Sequence, residues 1–189
     1  MTVGMSFLDS PWCRVLLAAL SGGILVFAFA PWDFEAAAWI WSLPLLTVLW
    51  IGKQPGLRAS IGLGWICGFA FFFPNLSWVR HSSRVIAGAV DHSWTGMGPE
   101  LMGWGAALGM AGYLAIYPAL WAGFTARIAR PSHEKLKSDS WITSSMESLR
   151  SCVLTASAWT GLEWMRGIVL TGFGWNGVGV GLHQNLVLT

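Results

Sequence analysis

Charge is what this sequence has least of. Only 11% of its 189 residues are Asp, Glu, Lys or Arg, against about 25% in a soluble domain. With 54% hydrophobic residues and a mean hydropathy of +0.56, the composition excludes an ordinary water-soluble globule and fits a chain that lives in a bilayer. The net charge of +2 is too small to hold a polyanion, so no nucleic acid is expected as a partner. Cysteine is scarce too. Cys13, Cys67 and Cys152 lie in or beside apolar runs, with no spacing that marks a disulfide framework or a zinc site. None follows the small-residue tripeptide of a lipid-modified cysteine. The stretch "HEKLK" at 133–137 opens like a zinc-protease helix and lacks the second histidine that the metal needs. No Ser-His-Asp, Cys-His or paired-carboxylate site can be assembled, and neither a metal nor a cofactor is expected.

What the sequence does have is long runs without charge. They cover Val15–Trp32, Ala36–Gly52, Ala59–Val79 and Leu101–Ala126. A spanning helix needs about 20 mostly apolar residues. The last two runs meet that alone. The first two are near the lower limit and are joined by the short turn "PWDFE", which makes them a helical hairpin. A fifth run, Ser151–Leu162, spans only if it continues through Glu163 and Arg166 toward Leu170. The expected fold is an all-α membrane protein, a polytopic transmembrane helical bundle with about five membrane segments. Residues 1–126 hold the first four helices and short loops. Residues 127–150 form a cytoplasmic loop. Residues 151–189 hold the fifth segment and a glycine- and aromatic-rich loop on the periplasmic side.

The cations set the orientation. With the N-terminus in the cytoplasm, Arg14, Lys53, Arg58, Arg127, Arg130, Lys135, Lys137 and Arg150 lie inside. Only Arg80, Arg84 and Arg166 of the 11 Lys and Arg residues lie outside. The reverse orientation would violate the positive-inside tendency. The tripeptide "AFA" at 28–30 looks like a signal-peptidase site. However, Pro31 follows it directly and further apolar runs come after, so a retained first helix is expected.

The stretch "LTGFGWNGVGVGLH", Leu170 to His183, holds Gly172, Gly174 and Gly177 in a G-x-G-x-x-G pattern. A dinucleotide site needs a strand before that pattern, a helix after it and an acid about 20 positions on. No acid occurs between Arg166 and Thr189. The glycines instead suit a loop or broken helix at the membrane surface, where they permit unusual dihedrals and close backbone approach. Glu163 and Arg166 stand three apart and share a helix face. They form either a stabilising ion pair or a device that positions a lipid headgroup or a neighbouring domain. His81, Asp91, His92 and Glu100 share the expected outer loop, as solvated residues or as a metal cluster. Gly64 with Gly68, and Gly105 with Gly109, permit close helix packing. Trp12, Trp32, Trp50 and Trp78 sit near run ends, as interfacial anchors do.

The segment "EWMRGIVLTGFGWNGVGVGLHQN", Glu163 to Asn185, resembles the part of bacterial apolipoprotein N-acyltransferases that reads Glu-aromatic-x-Arg-Gly, then Leu-Thr-Gly-Phe-Pro-Trp. "LVFAFAPWDFEAAAWIWSLPLL", Leu25 to Leu46, is similar to the family's first helix, its Pro-aromatic-Asp turn and its second helix. "GWICGFAFFFPNLSWVRHS", Gly64 to Ser82, is similar to its third helix. Gly174 stands where the family usually has proline, which makes this loop more flexible. The resemblance implies a bacterial inner-membrane enzyme that moves an acyl chain from a phospholipid to the α-amino group of a diacylglyceryl-modified N-terminal cysteine. The family's Glu-Lys-Cys triad sits in a periplasmic nitrilase-like α/β domain, which is expected to be absent from this sequence. No catalytic residue carries over, and the chain alone is expected to be inactive. What carries over is a docking motif for lipid, substrate or domain: Glu163, Arg166, Thr171, Gly172, Phe173, Trp175 and Asn176. The implied partners are membrane phospholipid and, once the catalytic domain is supplied, an apolipoprotein substrate. A non-enzymatic membrane scaffold or small transporter is the alternative class.

Overall fold

The computed structural model describes residues 8–51, 53–90, 97–137 and 140–183, without the side chain of Thr171. Among the described residues every regular element is a helix. The first, α1 (Pro11–Val26), starts with a proline, at the helical position where a missing N–H costs nothing. A turn over 27–35 comes next. It holds a cis Ala30–Pro31 bond and a left-handed Asp33 at φ 48°, a conformation that Asp accepts more readily than most residues. The chain returns through α2 (Ala36–Ile40) and α3 (Leu43–Trp50), which completes the expected hairpin.

Then come α4 (Leu57–Asn75), α5 (Trp78–Val90), α6 (Met97–Leu114) and α7 (Ile116–Phe124). A turn of π-helix, Thr125–Ala129, closes α7. A short α8 (His133–Leu136) and the long α9 (Trp141–Arg166) complete the bundle. Two helices are long and apolar enough to cross a membrane: Leu57–Asn75 and the rod Met97–Ala129. At 1.5 Å per residue, α4 is about 28 Å long, close to the hydrocarbon thickness. Pro11–Val26 and Ala36–Trp50 are apolar but shorter. α9 starts ahead of residue 151, inside the segment expected to be a loop, and runs on through Glu163.

Glycine decides where the helices touch. α4 is central and packs against α1 on one side and α7 on another. A Cβ on Gly22 of α1 would lie 2.0 Å from the Cys67 carbonyl oxygen, and one on Gly64 would lie 2.4 Å from that of Pro118. Gly68 meets the Ala115 Cα in the same way, at 2.9 Å. Close backbone approach of this kind is how helices associate where lipid removes the hydrophobic drive. Gly105 and Gly109 have nothing within 4 Å, so that pair does not mark a contact here. Between the helices, the rings of Trp41, Trp121 and Trp159 form a cluster with centroids 4.6, 5.3 and 5.6 Å apart.

The expected outer loop is largely helical. α5 packs against the start of α6, where Gly103 admits the Arg80 backbone and Arg80 pairs with Glu100 at 2.8 Å. His81 is exposed on α5, while Asp91 and His92 lie outside the described residues. Among the described residues, Glu100 is the partner of an arginine.

The two ends of the bundle differ in chemistry. At one end, Trp50 and Gln54 donate to the carbonyls of Thr125 and Ala126, and Arg14 donates to that of Lys53. Glu147 is 4% exposed there. It accepts from Arg150 Nη2 at 2.7 Å and from the Ser132 N–H at 2.9 Å, with Lys135 Nζ at 3.6 Å. The Arg150 hydrogen bonds first, then the Ser132 N–H and the charges of Arg150 and Lys135, hold its carboxyl down at about 2 against the opposing effect of burial. Arg150 also donates to the carbonyls of Ile128 and Arg130, so this knot ties the 128–135 segment to α9. The opposite end gathers the 27–33 turn, the end of α4, Trp78 and the chain beyond α9.

Candidate functional site

α9 ends at Arg166, and both charged residues of its last turn reach forward to hold the loop beyond it. Arg166 is only 3% exposed. Its Nη1 donates to the Trp175 carbonyl at 2.7 Å, and its guanidinium lies over the Phe72 ring, 5.2 Å from the centroid. The facing Glu163 oxygen is 4.0 Å from Nη2, a loose ion pair. That same Oε1 accepts the Val178 N–H at 2.8 Å, and the Phe173 N–H donates to the Arg166 carbonyl at 2.8 Å. The pair therefore contributes less through its mutual contact than through the backbone groups it fixes on the loop.

Between these fastenings the backbone takes conformations that few residues accept. Leu170, Gly172 and Asn176 have φ of 50°, 77° and 57°. Gly172 cannot carry a side chain, since a Cβ there would fall 2.1 Å from the Gly167 carbonyl oxygen. Gly174, two residues on, has nothing within 4 Å. The 3-10 turn Val178–Leu182 then lies on the 27–30 segment, with Gly181 close to the Ala28 carbonyl.

The fastened loop walls a cleft of about 410 Å³, bordered by Ala28, Phe29, Ala30, Asp33, Asn75, Trp78, Trp175, Asn176, Val180 and His183. The Trp78 and Trp175 rings are 5.9 Å apart and tilted by 30°. Trp175 is 67% exposed, whereas Phe173 is half-buried and packs on the core. Asp33 is half-buried, and among the described residues no hydrogen bond or ion pair reaches its carboxylate. Asn176 lines this cleft and also a small cavity behind the loop, beside Arg166, Glu163 and Tyr117.

The structure thus brings together Glu163, Arg166, Gly172, Phe173, Trp175 and Asn176. The side chain of Thr171 lies outside the described residues. It adds Asp33, Asn75, Trp78 and His183, which sequence reasoning passed over. Asp33 was hidden inside a turn and Trp78 among the interfacial anchors. The available signal was that both fall at the same end of the bundle as the 163–176 stretch. Among the described residues, no group of three His, Cys, Asp or Glu could hold a metal ion.

A family model described as the apolipoprotein N-acyltransferase N-terminal domain matches residues 21–189. The chain is 29% identical over 186 residues to an apolipoprotein N-acyltransferase of Rhodopseudomonas palustris, covering 94% of this chain and 29% of the relative. It is 29% identical over 154 residues to one of Photobacterium profundum, covering 80% and 27%. It is 31% identical over 156 residues to one of Methylococcus capsulatus, covering 81% and 25%. The chain therefore spans less than a third of the length of these relatives.

Proposed function

The chain belongs to the apolipoprotein N-acyltransferase family, and on that premise we propose that it serves as the membrane portion of such an enzyme. The whole enzyme transfers an acyl chain from a phospholipid to the N-terminal diacylglyceryl-cysteine of a lipoprotein. This portion anchors it in the bacterial inner membrane and shapes the approach of lipid to the chemistry. Five segments cross: α1, α2 with α3, α4, the α6–α7 rod and the apolar part of α9. The N-terminus and the 127–150 segment face the cytoplasm. Large apolar side chains exposed around the bundle support this, among them Leu16, Leu20, Trp39, Leu43, Leu108 and Leu120, as does the division of cations between the two ends.

The observation that carries the reading is the fastening of the glycine-aromatic loop to α9. Arg166 and Glu163 hold its backbone from behind, and Trp175 faces outward. A tryptophan at that level suits the headgroup boundary, where an amphipathic ring has both of its environments. Cys13 and Cys67 are buried, Cys152 is exposed on α9, and no hydrogen bond joins any of them to a His, a Lys or a carboxylate among the described residues. Activated nucleophiles need such a base, so no turnover is expected of this portion by itself.

The test is Trp175→Ala beside Phe173→Ala, each in protein reconstituted with the family's catalytic domain. Trp175→Ala should cut acyl transfer by about tenfold, ~1.4 kcal/mol of transition-state stabilisation, with thermal unfolding nearly unchanged. Phe173→Ala should lose stability because its ring packs on the core. If Trp175→Ala lowers stability and activity falls only in proportion to folded protein, the loop is packing alone. If wild type shows no transfer with the domain supplied, the chain is a scaffold or a small transporter.

A further inference from the structure

We propose that the exposed side of α5 is a docking surface for an anionic bilayer: its apolar face enters the outer leaflet, and Arg84 meets lipid phosphates there. The helix has three faces. Ser83 stands against Gly103 of α6, and Ala87, one turn on, is buried. Trp78, Val85 and Ile86, spaced i, i+7 and i+8, share a second face and are 47%, 58% and 62% exposed. Arg80 and Arg84, spaced i, i+4, share a third, with His81 beside them. Among the described helices of eight residues or more, none separates apolar from polar residues as sharply.

The inference rests on the proposed function in one respect: α4 crosses the membrane. α5 follows it with only Leu76 and Ser77 between them, so it starts at the outer surface. Ile86 is no more than about 12 Å along the helix from Trp78, which keeps the apolar face beside the headgroups. A helix with an apolar face and a cationic one lies in that layer, its aliphatic side chains at the acyl boundary and its charges among the headgroups. The charges choose the lipid. Arg80 is committed to Glu100 at 2.8 Å and to the Trp104 ring at 5.3 Å. Arg84 is exposed, and no hydrogen bond or ion pair reaches it among the described residues. α5 carries no carboxylate. An anionic lipid therefore meets an unopposed guanidinium, which can hold a phosphate through two N–H groups. A choline lipid brings its own cation to the same place. A protein surface is the competing occupant; the short tether to α4 and the largely aliphatic face favour the bilayer, since protein interfaces are richer in aromatic anchors.

The test attaches a bimane fluorophore to Ile86→Cys in the full chain with Cys152→Ser, the two remaining cysteines being buried. The protein is placed in vesicles of equal parts choline phospholipid and anionic glycerol phospholipid. In one set the choline lipid carries brominated acyl chains, in the other the anionic lipid does. Bromine quenches only a fluorophore that reaches the acyl chains. Both lipids should quench position 86, with the anionic one favoured about fivefold around it, the ~1 kcal/mol of one arginine near a charged surface. Arg84→Gln should bring the two lipids to parity while quenching by the choline lipid persists, and a matching circular dichroism melt checks the fold. A fluorophore at His81→Cys, on the charged side, should be quenched far less by either. Equal quenching by the two lipids with Arg84 in place, or a preference that survives Arg84→Gln, overturns the inference. An unquenched position 86 also overturns it and leaves that face to a protein partner. If position 86 is unquenched while an impermeant thiol reagent outside still labels position 81 and Trp175→Ala still cuts acyl transfer, the proposed function stands and the lipid surface falls. Labelling of position 81 from the cytoplasm alone overturns both.

Discussion

Replacing Gly172 with alanine should open the glycine-aromatic loop, and replacing Gly174 should not. Gly172 has φ 77° and ψ 135°, a combination that costs a residue with a side chain on the order of 1–3 kcal/mol. The new Cβ would also stand 2.1 Å from the Gly167 carbonyl oxygen, a backbone atom that cannot rotate away. Relief requires the chain to move, which breaks the Gly172 N–H bond to Val169 and the Phe173 N–H bond to Arg166. Each of these is worth about 0.5–1.5 kcal/mol net. Together the effects place the local cost at roughly 2–6 kcal/mol, enough to leave the loop mostly open. At Gly174 the added methyl meets nothing, and fewer unfolded conformations should make the change neutral or stabilising by up to ~1 kcal/mol. Amide hydrogen exchange at Phe173 and Val178 reads local opening directly. Protection there should collapse in Gly172→Ala and persist in Gly174→Ala, with the α4 amides unchanged in both. Equal protection in the two variants would refute the claim that Gly172 sets the loop.

Two further outcomes concern the charged end of the bundle and its side of the membrane. The Glu147 carboxyl lies below its ordinary value of 4.5, at about 2. A depressed carboxylate contributes stability that is fully present above the unfolded value and is lost as pH falls toward the folded one. Unfolding temperature should therefore drop between about pH 4.5 and pH 2, and Glu147→Gln should flatten that limb; a limb of unchanged depth in the variant would rule Glu147 out. Cysteines placed at Lys137 and His81, both exposed, report the proposed topology in intact cells with Cys152 replaced by serine. A membrane-impermeant thiol reagent outside should label position 81 and spare position 137; the opposite pattern inverts the bundle.

Helices were legible where one physical signal dominated. Runs without charge in Ala59–Val79 and Leu101–Ala126 became α4 and the α6–α7 rod, because apolar length alone decides such segments. The α5 helix was missed because Arg80, His81 and Arg84 read as loop. In three dimensions Arg80 finds Glu100 and the Trp104 ring, a tertiary compensation that no local pattern displays. The early start of α9 was hidden for the same reason: Glu147 looks solvated in sequence and is buried by partners from 132 and 150. Of the two GxxxG pairs, only Gly64 with Gly68 meets another helix. Spacing permits close approach, and the identity of the opposing residues, here Ala115, Pro118 and Ala122, decides it.

Arg166 shows why the site was only half readable. In sequence it is a cation near a membrane surface, free to meet a phosphate. In the fold its guanidinium is buried, and a buried cation survives only with compensation on several sides. The Trp175 carbonyl, the Phe72 ring face and the more distant Glu163 carboxylate supply it. The C-terminus of α9 adds to this, since a cation there meets the negative end of the helix dipole. Each of these partners comes from a different part of the molecule, so the arginine holds α4, α9 and the loop in one arrangement. Trp175 joins that arrangement at both ends: its carbonyl is held from behind by Arg166 and its indole faces the cleft beside Trp78. The charge positions the aromatic wall, and Asp33, from a turn far away in sequence, lines the same cleft.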